Sequence, residues 1–406
     1  MNAVSAFVPA GPGADIAKAL ADFHYEGRPT VVETRGDLPV FVNEFWTARQ
    51  RQAHALHEIS YRACFKPQLP AFFIERLTAP GAVVYDPFMG RGTTPLQAAL
   101  MGRRAVGNDV NPLSALLVRP RLAPPSLEAI TARQSEIAWT PPPEDHGDEA
   151  LLAFYHPATL AQIQALRAYL IGREQAGLRD AADDWIRMVA LNRLTGHSAG
   201  FFSVYSLPPN QAVSVASQLR INEKRGQVPP LRDVADLIVR KSRALLKDGV
   251  PPAGAEGRFH AGPADHTPSI ATASVDLVVT SPPFLDVVDY AGDNWLRGWF
   301  AGLDPDRTPP TQSSRPAVWS AFVRSVFVEL ARLVRPGGHV AFEVGEVRRG
   351  KIALEDLVFE ALTGLPFAPV GLLINTQRFT KTANCWGVDN NAKGTNSNRI
   401  VLARRV

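Results

Sequence analysis

Short apolar runs, bounded by glycine, proline or polar residues, recur through this chain and predict buried β-strands. Such runs are Ala82–Tyr85, Val275–Thr280 and His339–Val344, and strands are also predicted at Arg104–Gly107 and Arg258–Ala261. Continuous runs of this length are typical of strands that are covered on both faces. Near the end of the chain, Val370–Asn375 and Ile400–Ala403 predict an additional antiparallel pair.

Segments with apolar residues at helical spacing alternate with these runs. The predicted helices are Asn43–Cys64, Ala71–Leu77, Leu96–Met101, Leu151–Ile171, Ala181–Leu194, Val234–Leu246 and Val326–Leu333. Alternating strands and helices predict an α/β fold with a mainly parallel sheet. Residues 120–150 are rich in proline and acid and predict a linker. We expect residues 1–122 and 253–406 to form one α/β domain, with a mainly helical insert at 123–252.

Composition narrows the class of protein. With 406 residues, of which 46% are hydrophobic, the chain can bury a large core. No apolar run approaches the ~18 residues of a membrane span, and the start of the chain lacks the pattern of a signal peptide. Cys64 and Cys385 are too few for a disulfide framework, and His156, His197 and His260 lack metal-site spacing. We expect a cytoplasmic protein with no membrane contact and no bound metal.

Basic residues are concentrated in the predicted insert. Between Arg187 and Lys247 there are ten lysines and arginines but three acids, an excess larger than the net charge of +4 of the whole chain. A basic surface of this kind favours contact with nucleic-acid phosphates. We expect Arg240, Lys241 and Arg243 to make such contacts, the alternative being a solvated helix face.

A glycine loop follows the first apolar run. The string Asp86-Pro87-Phe88-Met89-Gly90-Arg91-Gly92-Thr93-Thr94 leads into the predicted helix Leu96–Met101, and the next strand ends at Asp109. Glycines let the backbone approach a charged ligand closely, and we expect Thr93 or Thr94 to cap the helix. An acid at the end of the second strand can bind ribose hydroxyls. The loop is neither G-x-G-x-x-G nor a phosphate loop, and a purely structural turn is the alternative.

A third acid, Asp265, lies just before the strand Val275–Thr280, in a segment rich in glycine and proline. Its carboxylate could accept a hydrogen bond from an aromatic amine of a bound cofactor. A turn or helix-cap acid is the alternative interpretation.

The string Ser281-Pro282-Pro283-Phe284 directly follows the strand Val275–Thr280. These residue types could activate an aromatic exocyclic amine. Such an amine is a poor nucleophile because its lone pair is delocalised into the ring. Two acceptors that hold both of its hydrogens turn that lone pair out of the ring plane, and Ser281 Oγ with the Pro282 carbonyl can supply them. The prolines stiffen the loop, and Phe284 offers a flat face on which an extruded base can stack. A strand terminator is the alternative.

Together, these strings resemble the DNA amino-methyltransferase family, whose members make N4-methylcytosine or N6-methyladenine. Asp86–Thr94 is similar to its cofactor motif, and Thr280–Phe284 to its catalytic motif. The resemblance implies a Rossmann-like, seven-stranded, mostly parallel sheet with helices on both faces and one reversed strand. It also implies S-adenosyl-L-methionine as cofactor and DNA as partner.

The same resemblance assigns expected contacts. Phe65 and Lys66 lie within His57–Leu77, which resembles the segment that contacts the methionine end of the cofactor. Asp109 and Asp265 match the ribose and adenine contacts. The polar segment Asn384–Arg399 resembles a loop near the C-terminus. For DNA, the expected contacts in and beside that loop are Lys381, Asn384, Trp386 and Asn396.

The residue that opens the catalytic string bears on the target base. Adenine enzymes usually carry Asp or Asn where Ser281 stands, whereas Ser is more typical of the cytosine-N4 branch. The insert does not lie at the usual place of a target-recognition segment. Because Ser281 opens the catalytic string, we expect methylation of the N4 amine of a flipped cytosine in DNA. Methylation of adenine N6, methylation of an RNA base and an inactive DNA-binding homologue remain open, as does a partner restriction endonuclease.

Overall fold

The computed structural model of the chain describes residues 15–47, 53–61, 64–140, 148–207, 211–252, 257–283, 290–303, 315–347, 352–376 and 397–406. The strands are β1 (His24–Tyr25), β2 (Arg28–Pro29), β3 (Val31–Arg35), β4 (Leu38–Asn43), β5 (Val83–Asp86), β6 (Arg104–Asp109), β7 (Gly257–Ala261), β8 (Val275–Thr280), β9 (Val334–Val344), β10 (Glu346–Val347), β11 (Ile352–Ala353), β12 (Phe367–Thr376) and β13 (Ser397–Arg405). The helices are α1 (Ile16–Ala21), α2 (Gln68–Leu77), α3 (Thr93–Leu100), α4 (Leu113–Leu122), α5 (Leu127–Ser135), α6 (Pro157–Gln175), α7 (Ala181–Leu191), α8 (Val215–Arg225), α9 (Val234–Leu245), α10 (Tyr290–Ala301), α11 (Pro316–Leu333) and α12 (Leu354–Leu362).

One large sheet organises the described part of the chain, in the order β3-β4-β12-β13-β9-β8-β5-β6-β7. From β9 to β7 the strands are parallel, and β13 runs antiparallel between β9 and β12. These seven strands, with one reversed, confirm the expected Rossmann-like methyltransferase fold. The sheet also carries two strands that were not expected, since β4 pairs parallel with β12 and β3 antiparallel with β4.

Alternate residues of the central strands point into two hydrophobic cores on opposite faces of the sheet. In β5, Val84 belongs to the core under α2, α3 and α4, whereas Tyr85 belongs to the core under α11 and α12. In β8, Leu277 and Val278 divide in the same way. This alternation follows from the period of two in a strand, and it confirms that helices cover both faces.

Helices α4 to α9 lie between β6 and β7 and form the largest departure from a simple alternation of strands and helices. Asp180 begins α7 with a capping box that includes Asp183. The fully buried indole of Trp185 in α7 donates to Ser242 Oγ in α9 at 2.9 Å. The helices of this segment are therefore packed against one another, and the division at residues 123–252 stays a prediction.

Two of the predicted elements were wrong. The predicted helix Asn43–Cys64 is absent: β4 ends at Asn43, and only the short 3-10 helix Ala55–His57 forms in the described part of that range. The predicted linker 120–150 contains α5, because Ser126 caps its first turn at 3.2 Å and Ile130 is buried in the core. Proline and acid residues there are compatible with a helix whose single apolar face packs inward.

Candidate active site at the carboxyl ends of the strands

The glycine loop turns sharply from β5 into α3. Gly90 and Gly92 have φ angles of 49° and 78°, which lie in the left-handed region. A Cβ on Gly92 would lie 2.1 Å from Cγ2 of Val118, so α4 packs directly on the loop. Gly92 is the N-cap of α3 and makes no side-chain cap. The expectation that Thr93 or Thr94 caps this helix was therefore wrong.

Both threonines bond elsewhere. Thr93 Oγ1 accepts from Nε of Arg91 at 3.2 Å, and Thr94 Oγ1 donates to the carbonyl of Val279 in β8 at 3.0 Å. The start of α3 is thus tied to the strand that leads to Ser281.

Asp86 joins the glycine loop to the strand before the Ser-Pro-Pro segment. Its Oδ1 accepts from Thr280 Oγ1 at 2.6 Å and from the backbone N–H of Phe88 at 3.0 Å. Burial raises the pKa of Asp86 to about 7, and the hydrogen bonds from Thr280 and Phe88 oppose that rise. The two strings that the sequence placed far apart therefore meet at this carboxyl group.

Asp109 lies at the end of β6, beside the glycine loop. Its Oδ2 accepts from the N–H of Gly90 and its Oδ1 from the N–H of Asn111, each at 2.8 Å. The group is half-buried, and burial raises its pKa. A carboxylate offers about four acceptor positions, so each oxygen keeps capacity for a hydroxyl donor. This geometry fits the expected contact with a ribose.

The turn after β7 closes the same edge of the sheet. Asn108 Nδ2 donates to the carbonyl of Gly262 at 2.9 Å. Asp265 is exposed, and its Oδ2 accepts from Ser325 Oγ in α11 at 3.0 Å. Phe88, with Pro87 buried before it, packs its ring 5.8 Å from that of Phe322. The structure therefore brings the predicted residues Phe88, Asp109 and Asp265 to one end of neighbouring strands.

Buried arginines pin the segment before α2 to the glycine loop. Arg91 donates to the carbonyl of Ile59 at 2.7 Å and to that of Phe65 at 3.3 Å. Arg121 in α4 donates to the carbonyl of Leu56 at 3.1 Å and to that of Arg91, and burial lowers its pKa to about 9. These bonds fix the backbone carbonyls of Leu56, Ile59 and Phe65.

The two expected contacts in this segment lie next to the loop. Tyr61 and Cys64 pack on Gly90, 3.6 and 3.8 Å from the position of a Cβ there. Phe65 and Lys66 follow and are half-buried, and burial, followed by the charge of Arg91, lowers the pKa of Lys66. The predicted contribution of Phe65 and Lys66 to a pocket is compatible with this placement and stays a prediction.

Ser281 has a buried partner that sequence reasoning missed. Because Thr280 pairs with Phe342, Ser281 lies beside Glu343 at the end of β9. The Ser281 hydroxyl is close enough to the Glu343 carboxyl to lower its pKa. Asn398 of β13 donates to Glu343 Oε1 at 3.1 Å. Burial raises the pKa of Glu343, against the lowering effect of Ser281 and Asn398. The visible signal in the sequence is a single acid inside the apolar run His339–Val344.

The proposed nucleic-acid contacts fall into three groups. Arg240 and Arg243 are exposed on α9, although Arg240 pairs with Asp236 at 2.7 Å. Lys241 is buried and its Nζ lies 2.6 Å from Glu58, so the expectation that it faces a phosphate needs correction. An ammonium held in this ion pair stabilises the packing of α9 on the segment before α2. The residues Phe284, Lys381, Asn384, Trp386 and Asn396 lie outside the described residues.

In the part of the chain that the structure describes, no group of three or more His, Cys, Asp or Glu side chains could hold a metal ion. Across the same residues, every helix is too short or too polar to cross a membrane.

Comparisons with known proteins match part of this chain. Residues 25–115 match the model of the DNA methylase family N6_N4_Mtase. A stretch of 74 residues, 18% of this chain, is 36% identical to the Type II methyltransferase M.MjaII of Methanocaldococcus jannaschii, and it spans 14% of that relative's length.

Two solved structures show weaker similarity. TrmN from Thermus thermophilus matches with a TM-score of 0.34 and 14% identity, over 85% of this chain and 50% of that one. A second Thermus thermophilus protein, described as a DNA modification methylase in complex with S-adenosyl-L-methionine, matches with a TM-score of 0.22 and 23% identity, over 36% of this chain and 53% of that one. The family match thus makes the segment 25–115, which holds the glycine loop and Asp109, similar to the DNA methylase family.

Proposed function

We propose that this protein is an S-adenosyl-L-methionine-dependent DNA methyltransferase that acts on the N4 amine of a flipped cytosine. One observation carries the proposal. The hydrogen bond of 2.6 Å from Thr280 to Asp86 joins a family-type glycine loop to the Ser-Pro-Pro segment at one edge of the sheet. A methyl donor bound at the glycine loop and an amine bound at the Ser-Pro-Pro segment would therefore be neighbours.

The residues of the pocket suit the cofactor. Asp109 would accept hydroxyl hydrogens of the ribose, Asp265 would accept from the adenine amine, and Phe88 would pack beside the ring. Asp86 would hold the loop in shape through its bonds to Phe88 and Thr280. The bound cofactor supplies an electrophilic methyl group on a sulfonium centre.

The Ser-Pro-Pro segment and Glu343 suit the target amine, which accepts the methyl group. Ser281 lies beside Glu343 and would give its own hydrogen to that carboxylate, so its oxygen lone pairs would remain for a hydrogen of the target amine. The Pro282 carbonyl would take the other hydrogen. When the nitrogen gains a methyl group it loses one proton, which Ser281 would accept while its own hydrogen passes to Glu343. Burial favours this step, since it raises the pKa of Glu343.

Ser281 supports cytosine over adenine through the family resemblance alone, whereas the pair of acceptors suits either base. The basic surface of the insert supports a nucleic-acid partner. Digestion of DNA and of RNA, each incubated with the enzyme and methyl-labelled cofactor, followed by mass spectrometry of the nucleosides, tests all of these assignments. We expect labelled N4-methylcytosine from DNA. Labelled N6-methyladenine alone would refute the cytosine assignment, label only in RNA would refute the DNA assignment, and no label would refute the activity.

A further inference from the structure

The Ser-Pro-Pro segment offers no backbone donor after Ser281. Proline has no N–H, so Pro282 and Pro283 contribute only carbonyl acceptors. A segment that presents acceptors alone cannot be fixed by the ladder of N–H bonds that holds the neighbouring strands. Its orientation depends on packing and on donors that come from elsewhere in the fold.

Such a donor comes from the first turn of α11. Trp319 Nε1 donates to the carbonyl of Pro283 at 2.8 Å. The indole is only 4% exposed and belongs to the core shared by α11, α12 and the sheet. A side chain held this firmly can in turn hold the carbonyl to which it donates.

We propose that Trp319 is a positioning residue that orients the Pro282 carbonyl toward the target amine, an inference that rests on the proposed function. Each proline has a fixed φ angle. With the carbonyl of Pro283 held by Trp319, the carbonyl before it has little freedom to turn. An indole N–H is a donor only, so Trp319 does not compete with the Pro282 carbonyl for the hydrogens of the amine.

The same helix also contacts both sides of the proposed cofactor pocket. Phe322 packs on Phe88 of the glycine loop at 5.8 Å, and Ser325 donates to Asp265 at 3.0 Å. Trp319, Phe322 and Ser325 follow one another at a spacing of three, which keeps them on neighbouring sides of one helix. From the first to the third, the rise along α11 is roughly 9 Å.

Helix α11 therefore sets the distance between the amine acceptors and the pocket of the methyl donor. Reacting atoms must approach to about 3–3.5 Å, and a misplacement of about 1 Å can cost ~100-fold in rate. A contact that orients one carbonyl of the site therefore acts on the rate of transfer, and it leaves the binding of the cofactor nearly unchanged.

The test compares variants that lose one indole hydrogen bond. In Trp319→Phe we expect the single-turnover rate of methyl transfer to fall about 10- to 100-fold, with affinity for S-adenosyl-L-methionine within about twofold. Trp185→Phe is the matched control, because it also deletes a buried indole bond, of 2.9 Å to Ser242, but in the helical insert. It should lose a similar amount of stability and keep the rate.

Replacement of Trp319 by 3-benzothienylalanine keeps the bicyclic shape and removes only the N–H, and it serves as the test even if the Phe variant does not fold. We expect this variant to lose rate as Trp319→Phe does. A wild-type rate in the benzothienyl variant, or an equal loss in Trp185→Phe, would overturn the role of Trp319. Failure of the wild-type protein to methylate any nucleic acid would instead overturn the proposed function.

Discussion

At the scale of single residues, the site depends on carboxyl groups buried at the ends of strands. Asp86 and Glu343 are both buried, and each has a hydroxyl beside it: Thr280 donates to Asp86 at 2.6 Å, and Ser281 lies next to Glu343. Burial raises the pKa of both groups. A buried carboxyl that keeps only neutral donors takes up a proton more readily than an exposed one, and in Glu343 this property suits proton removal.

Glu343→Gln should expose this role in the pH profile. In the proposed reaction Glu343 acts as the ionised carboxylate, so the wild-type rate should fall as the pH drops through its raised pKa. The Gln variant should be slower by about 100-fold and should lack that acidic limb, because the amide does not titrate. Single-turnover rates at saturating cofactor between pH 5 and pH 9 provide the measurement. An acidic limb that persists unchanged in Glu343→Gln would assign the titration to another group.

At the scale of elements, the sequence predicted those parts that local pattern determines. The strand Val275–Thr280 has the predicted bounds, and β5 and α2 are shifted or extended by a few residues. Long apolar runs flanked by glycine or proline have few alternatives to a buried strand. The segment after β4 was mispredicted because its carbonyls accept from guanidinium groups that lie far away in the sequence. These belong to Arg91, Arg121 and Arg297.

The same limit applies to the site. Ser281 and the glycine loop were visible as strings, whereas Glu343 and Trp319 gain their roles only through strand register and helix packing. A lone acid inside an apolar run marks Glu343 without revealing its role, and no local pattern around Trp319 distinguishes it from ordinary core.

The loop between β5 and α3 gives a prediction at this scale. In Gly92→Ala, the new Cβ would lie 2.1 Å from Val118, and φ would stay at 78°. We expect a loss of about 2–4 kcal/mol in the free energy of unfolding, from the left-handed backbone and from overpacking. Gly102→Ala has a similar φ of 73° with no atom within 4 Å, and it isolates the backbone cost. Urea unfolding of both variants should show a larger loss for Gly92→Ala, and equal losses would contradict the packing of α4 on the loop.

At the scale of the whole molecule, the helical insert carries the basic excess of the chain and contacts the segment before α2 through the ion pair of Lys241 with Glu58. Part of the basic excess is structural, since Arg187 pairs with Glu174 and Lys241 with Glu58, both at 2.6 Å. Arg240 and Arg243 are exposed on α9, although Arg240 pairs with Asp236, and their contact with phosphates stays a prediction.

Charge reversal at these two positions tests the contact with DNA. In Arg240→Glu/Arg243→Glu, the slope of log affinity against log salt concentration should fall by roughly 1–2, because each lost phosphate contact accounts for about 0.9. Arg104→Glu is the control, since Arg104 is exposed at the opposite, amino end of β6. Fluorescence anisotropy with duplex DNA at several salt concentrations gives the slopes. Equal slopes for the double variant and the control would leave α9 as a solvated surface.

In the proposed function, one edge of the sheet holds the methyl donor and the amine at separate groups. Parallel measurement of cofactor affinity by calorimetry and of single-turnover methyl transfer to DNA in Ser281→Ala tests this claim most directly. We predict unchanged affinity and a loss of rate of at least about 100-fold, since removal of one acceptor active in the transition state costs about 2.7–4 kcal/mol. Asp109→Ala is the complementary variant and should weaken cofactor binding. Full methyl transfer by Ser281→Ala would contradict the account.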